Sequence, residues 1–173
     1  MNTWDVLPDN ERRQWVLDPF VSVGPLRFGM SRSEVSAELG GIQANWGIRS
    51  AHDGAGHDSY SEVGLTLHYA AGDQLRAVRV DALGGPQVFV GDTALVGRVP
   101  SELERWVEVR AERREPDPEL FYLPGGEIGS VSLGLALCLQ QAGDRLLTRP
   151  VFLSSDTMED SHDKLGRDAW VIS

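Results

Sequence analysis

Apolar and polar residues alternate most cleanly in two stretches, and each predicts a strand with one face in a core. In Gly64-Leu-Thr-Leu-His-Tyr69, Leu65, Leu67 and Tyr69 share one side while Thr66 and His68 share the other. In Ser132-Leu-Gly-Leu-Ala-Leu-Cys-Leu139, Leu135 and Leu137 stand opposite Ala136 and Cys138. Gly72-Asp73 and Gly143-Asp144 follow as turns, and return strands come after them: Leu75 to Asp81, with Val78 and Val80 inward, and Leu146 to Leu153. Val88-Phe-Val90 and Thr93-Ala-Leu-Val96 around Gly91-Asp92 form a further hairpin, and Leu120 to Leu123 another strand.

The period becomes helical in two places. Ser31 and Glu34 have capping-box spacing, Val35 and Leu39 lie one turn apart, and Gly40-Gly41 stops the helix. Pro100 to Arg114 repeats the spacing at Ser101 and Glu104, with Leu103, Trp106, Val107 and Arg110 along one face and a stop before Pro116 and Pro118. Asp9 reads as the cap of a short helix through about Leu17, ended before Pro19. Ile42 to Glu62 is polar and glycine-rich and reads as a long loop, which is uncommon without a function.

The order of elements recurs. Ser31 and Glu34 map on Ser101 and Glu104 at a shift of 70, and the same shift places Gly64 to Tyr69 on Gly134 to Leu139. One extra residue then aligns Ala71-Gly-Asp-Gln-Leu75 with Ala142-Gly-Asp-Arg-Leu146. The expectation is one compact α+β domain over residues 1–173, with an internal repeat of 23–83 in 93–154. Its helices lie on one face of a mostly antiparallel sheet, and its other face is partly open. The core comprises Leu26, Val35, Leu39, Leu65, Leu67, Val78, Val80, Leu103, Trp106, Leu135 and Leu137.

A resemblance attaches to the first of these helices. Phe28-Gly-Met-Ser-Arg-Ser-Glu-Val35 followed by Leu39-Gly40 resembles the F-G-M-T-x-x-x-V opening of the β-lactamase-inhibitory-protein fold and of the small outer-membrane assembly lipoproteins related to it. That resemblance implies helices ahead of an antiparallel sheet, a unit that can be duplicated, and an exposed sheet face that binds another protein. This chain departs from it by having no export signal and no disulfide, and by reading Gly97-Arg-Val-Pro-Ser101 in the second copy, without the Met. The resemblance carries over no enzyme target.

Charge narrows the partners. A net charge of −10 disfavours nucleic-acid phosphate and anionic membrane and suits a basic protein partner. No apolar run approaches the roughly 20 residues of a spanning helix. Met-Asn-Thr-Trp-Asp lacks the order of a signal peptide, so the expected compartment is the cytoplasm. Cys138 is the only cysteine and reads as a small strand residue.

Catalytic signatures are missing. There is no G-x-S-x-G elbow and no glycine-rich phosphate loop, and the carboxylates Glu102, Glu104, Glu108 and Glu112 form a solvated helix face. No cofactor is expected. One metal or ligand alternative, which would make the chain a small enzyme or binding domain, is the loop holding His52, Asp53, His57 and Asp58.

The leading expectation is a non-catalytic acidic module of the immunity-protein, antitoxin or inhibitor kind. Period 2 puts Thr66, His68, Arg79, Asp81, Ala136 and Gln140 on the open sheet face, and Trp46, Tyr60 and Tyr122 would rim it as aromatic anchors. Asp81, Asp156, Glu159 and Asp160 would steer a basic partner.

Overall fold

The computed structural model describes residues 3–116 and 119–159. After a single 3-10 turn at Asp9–Glu11, the chain forms β1 (Gln14–Asp18), β2 (Ser22–Val23), β3 (Leu26–Arg27) and helix α1 (Arg32–Glu38). Then come β4 (Trp46–Arg49), β5 (Gly56–Tyr60), β6 (Leu65–Ala70), β7 (Gln74–Val80), β8 (Gln87–Val90) and β9 (Thr93–Ala94). Helix α2 (Pro100–Glu112) precedes β10 (Leu120–Tyr122), β11 (Ile128–Ser130), β12 (Leu135–Ala142), β13 (Arg145–Leu153) and the short helix α3 (Ser155–Glu159).

The strands make two sheets and the class is α+β, mostly antiparallel. The larger sheet runs β10-β11-β12-β13-β7-β6-β5-β4. It is two four-stranded meanders, each preceded by a helix, joined where β13 lies antiparallel to β7. The smaller sheet runs β3-β2-β1-β8-β9, and its β1–β8 pair is parallel. Between the larger sheet and the two main helices lies one core containing Leu26, Val35, Leu39, Leu65, Leu67, Val78, Val80, Leu103, Leu135 and Leu137, with Trp106 half-buried against it.

Local chemistry explains the helix ends. The hydroxyl of Ser31 accepts from Glu34 N–H at 3.3 Å and donates to the Glu34 carboxylate at 3.2 Å, so the first expected side-chain cap forms. The second does not. Pro100 takes the first helical position, where its missing N–H is no loss, and Val99 is the N-cap without a side-chain bond.

Two segments differ from the sequence reading. Residues 14–18 are a strand, not the end of a helix: Trp15 and Leu17 point inward while Gln14, Val16 and Asp18 are exposed. Residues 46–60 are the hairpin β4–β5 rather than loop, because β5 completes the ladder of β6 from Gly56↔Tyr69 to Tyr60↔Leu65. Gly56, at φ 154, shows why glycine stands there: a Cβ would run into the Ile48 carbonyl of the neighbouring strand.

Arg32 ties this hairpin to α1. Its Nε donates to Asp58 at 3.1 Å, Nη1 donates to the Gly54 carbonyl at 2.9 Å and also pairs with Asp73, and its backbone N–H donates to Asp73 at 3.1 Å. The guanidinium lies 4.2 Å from the centre of the Tyr69 ring. Gln87, fully buried, links the smaller sheet in a similar way. It accepts from the N–H groups of Val88, Leu95 and Val96 and donates to the Val96 carbonyl and Asp9.

No helix among the described residues is long and apolar enough to cross a membrane.

Candidate functional site

Register defines the sheet face turned away from α1 and α2. Trp46 pairs with Ser59, Ser59 with Thr66, Thr66 with Arg79 and Arg79 with Val151, and the row continues through Ala136 and Gly129 to Phe121. Side chains in such a row share one face. A neighbouring row holds Ile48, His57, His68, Ala77 and Leu153.

The face is covered in one part and grooved in another. Ala77, Ala136, Cys138, Val151, Leu153 and Leu123 form a second apolar cluster, with Phe121 and Met158 of α3 packed on it. Ser154 N–H donates to the Arg76 carbonyl at 2.9 Å and seats α3 beside β7. Next to this cluster a polar groove of about 220 Å³ is lined by Ser59, Ser61, Gly64, Leu65, Thr66, Arg79, Asp81, Gln140 and Arg149.

The groove's polar groups are fixed by one another. Gln140 donates to Asp81 at 2.6 Å and accepts from Ala82 N–H at 2.8 Å, Asp81 also accepts from Gly84 N–H at 3.0 Å, and Arg79 donates to Thr66 at 3.3 Å. Thr66, Arg79, Asp81 and Gln140 are thereby brought together as the strand periodicity requires. Ser59 and Arg149 were missed by the sequence reading. Arg149 shares the parity of Val151 and Leu153 and was legible in principle, whereas Ser59 enters only through the β5–β6 pairing.

Other expected surface residues are elsewhere. His68 and Ala136 are buried, at 2% and 0% exposure: the His68 ring stacks beside that of His57, and Ala136 lies in the apolar cluster on which Phe121 and Met158 pack. Tyr60 pairs with Leu65 and lies in the main core at 3% exposure. Tyr122 is exposed but pairs with Ile128 of the main core, on the opposite face and at the far end of the sheet from Trp46. Of the three aromatics only Trp46, 57% exposed, borders the grooved face. Asp156 is exposed on α3. The side chain of Glu159 and the whole of Asp160 lie outside the described residues.

A ring stack runs inward from Trp46. Its ring centre is 5.2 Å from that of His57, which is 5.3 Å from that of His68. Burial pushes the His68 imidazole down from its ordinary 6.5 to about 3, helped by the positive charges of Arg79, His57 and Arg76. Burial likewise pushes the Cys138 thiol up to about 12, so it stays protonated and unreactive at neutral pH.

The four candidates of the expected metal loop are separated. His57 and Asp58 are adjacent strand residues on opposite faces, with Asp58 bound to Arg32, while His52 and Asp53 sit in the exposed hairpin turn. The Ala55 N–H and the Ser50 hydroxyl hold the Asp53 carboxyl below its usual range. Among the described residues no group of three or more His, Cys, Asp or Glu could hold a metal ion.

Compared with known protein families, curated proteins and solved structures, the chain matches none.

Proposed function

We propose that this chain is a non-catalytic protein-binding module, an immunity protein, antitoxin or enzyme inhibitor that engages a basic protein in the cytoplasm. The observation that carries the reading is the groove of Ser59, Thr66, Arg79, Asp81 and Gln140, prearranged by hydrogen bonds among its polar groups, with Ser59, Thr66 and Arg79 standing in one cross-strand row with the exposed Trp46. A pre-ordered polar slot beside a large exposed aromatic supplies what protein interfaces use: an anchor ring and hydrogen-bonding groups whose ordering cost is already met. The resemblance of the Phe28 to Val35 segment to folds that bind proteins through a sheet face points the same way.

Charge gives the partner its character. Glu34, Glu38, Glu102, Glu108 and Glu112 are exposed on α1 and α2, across the sheet from the groove, and Asp156 is exposed on α3; the total of −10 attracts a basic surface from a distance. The groove itself is mixed, with Arg79 and Arg149 against Asp81. A basic partner whose docking loop carries one carboxylate or amide group meets both requirements.

The test is affinity capture from the source cells with the wild type and with a Ser59→Arg, Thr66→Arg variant of unchanged melting temperature, followed by binding and inhibition measurements on the purified captured protein. The reading expects a basic protein bound and inhibited by the wild type and bound at least about tenfold more weakly by the variant. Equal binding by the two overturns the groove as the contact.

A further inference from the structure

Of the four ends of the two sheets, three are blunted. β3 and β9 are two residues long, and β10 is three residues long and lies against α2. β4 is different. It has four residues, pairs only with β5 among the described residues, and every residue in it is exposed. Of the devices by which edge strands resist pairing it carries only the charge of Arg49: Asn45-Trp-Gly-Ile-Arg-Ser50 contains no proline, no lysine and no carboxylate. Trp46 and Ile48, on the same face, are 57% and 54% exposed.

The outward backbone groups can be assigned. Ser50 N–H donates inward to the Ala55 carbonyl at 2.7 Å, and alternation along an antiparallel ladder then turns the N–H and C=O of Gly47 and Arg49 outward. We propose that two copies of this chain pair through β4, antiparallel about a two-fold axis at Gly47. Gly47 exchanges both hydrogen bonds with Gly47 of the second copy, and Trp46 and Ile48 of each chain stand directly opposite Ile48 and Trp46 of the other.

Self-complementarity selects the second copy as the occupant. A two-fold axis normal to the sheet keeps equivalent faces together, so an apolar pair spaced by two residues is matched by itself when the axis passes between them. The resulting aromatic and β-branched pairs fall at non-hydrogen-bonded positions, where side chains approach most closely. Moving the axis to Ile48 would put Trp46 against Ser50 and bring the two Arg49 side chains toward each other; moving it to Arg49 would set them face to face. With the axis at Gly47 the two Arg49 side chains instead lie at opposite ends of the pairing, beyond the Trp46–Ile48 contacts; the Asn45 N–H stays bonded inward to the Ser59 carbonyl at 2.8 Å and takes no part.

Pairing joins the two larger sheets, leaves both grooves on the same side and covers Trp46, so the dimer competes with the proposed partner for that ring. A four-residue edge buries little area, so the dimer is of the weak, concentration-dependent kind. Repulsion between two chains of −10 opposes it, and salt therefore strengthens it.

Sedimentation velocity from about 1 μM to about 1 mM, at low and at 0.5 M salt, tests this directly. Expected is a monomer–dimer equilibrium that tightens with salt. Because residue 48 is exposed, the Ile48→Lys variant should melt as the wild type does while raising the dissociation constant at least about tenfold. Under mild oxidation, a Trp46→Cys, Ile48→Cys variant should give a disulfide-linked dimer, and an Ile48→Cys variant alone should not. A monomer throughout the range, or self-association indifferent to Ile48→Lys, overturns the pairing; ready cross-linking by Ile48→Cys alone overturns the register.

Discussion

Replacing Arg32 with methionine removes the cation that holds α1 to the β4–β5 hairpin and the β6–β7 turn while preserving most of the side chain's packing over Tyr69. The side chains of Arg32 and Asp58 are only 13% and 15% exposed, and that of Asp73 is 29% exposed, so two carboxylates would be left largely out of water without their counter-charge. Breaking a buried pair in this way typically costs about 3–5 kcal/mol. The lower end applies here, because Asp73 is partly wet and Arg49 lies 4.0 Å from it. About 3 kcal/mol in a chain of 173 residues corresponds to a fall of about 6–12 °C in melting temperature. Arg32→Lys keeps the charge, but one ammonium cannot reach Asp58, the Gly54 carbonyl and Asp73 together, and about half the loss is expected. Urea unfolding of both variants, with a double-mutant cycle against Asp58→Asn, measures the effect; the cycle should show coupling of at least about 1 kcal/mol. An Arg32→Met variant within about 0.5 kcal/mol of the wild type would refute the assignment of Arg32 as the tie between helix and hairpin.

Acid should unfold the protein through His68. Its folded pKa lies below the ordinary 6.5, so the unfolded chain binds the extra proton; this contribution is absent above about pH 7 and opposes folding increasingly as pH falls toward 3. At pH 5 the loss amounts to about 2 kcal/mol, and urea unfolding of His68→Gln should show a correspondingly shallower fall in stability between pH 7 and pH 5. Leu67, fully buried on the helix side of β6, tolerates no charge: Leu67→Asp should yield no cooperatively folding protein by circular dichroism, and a soluble variant with unchanged melting would show the strand parity to be wrong. With a verified basic partner, changing Asp81, Asp156, Glu159 and Asp160 to Asn or Gln should slow association at low salt by several-fold and alter dissociation less; unchanged association measured by stopped flow would remove the electrostatic steering.

Much of the architecture was legible because it rests on short-range physics. The inward set Leu65, Leu67, Val78, Val80, Leu135 and Leu137 follows from period 2, and the α1 cap follows from Ser31 and Glu34 alone. Strand β1 was hidden by Val16, an apolar residue at an exposed position that blurs the alternation of Trp15 and Leu17. The β4–β5 hairpin was hidden for a different reason. Gly, His, Asp and Ser have weak strand preference, and these residues are extended because β6 offers a ladder to pair with. The groove was half legible: parity placed Thr66, Arg79, Asp81 and Gln140 on one face, but no local pattern could say that Met158, Phe121 and Leu123 cover the part of that face carrying Ala136 and Cys138. Arg32 and Gln87 act across 41 and 78 residues of chain, in their bonds to Asp73 and Asp9, and such partners leave no local trace.

The central claim, a protein partner seated in the groove on the exposed sheet face, is tested most directly by hydrogen exchange of the chain with and without its purified basic partner. The account predicts added protection in residues 57–68, 77–82 and 136–142, with the outer surface of α2 unchanged. Protection confined to α2 or to the smaller sheet, with the groove segments exchanging as in the free chain, would contradict it.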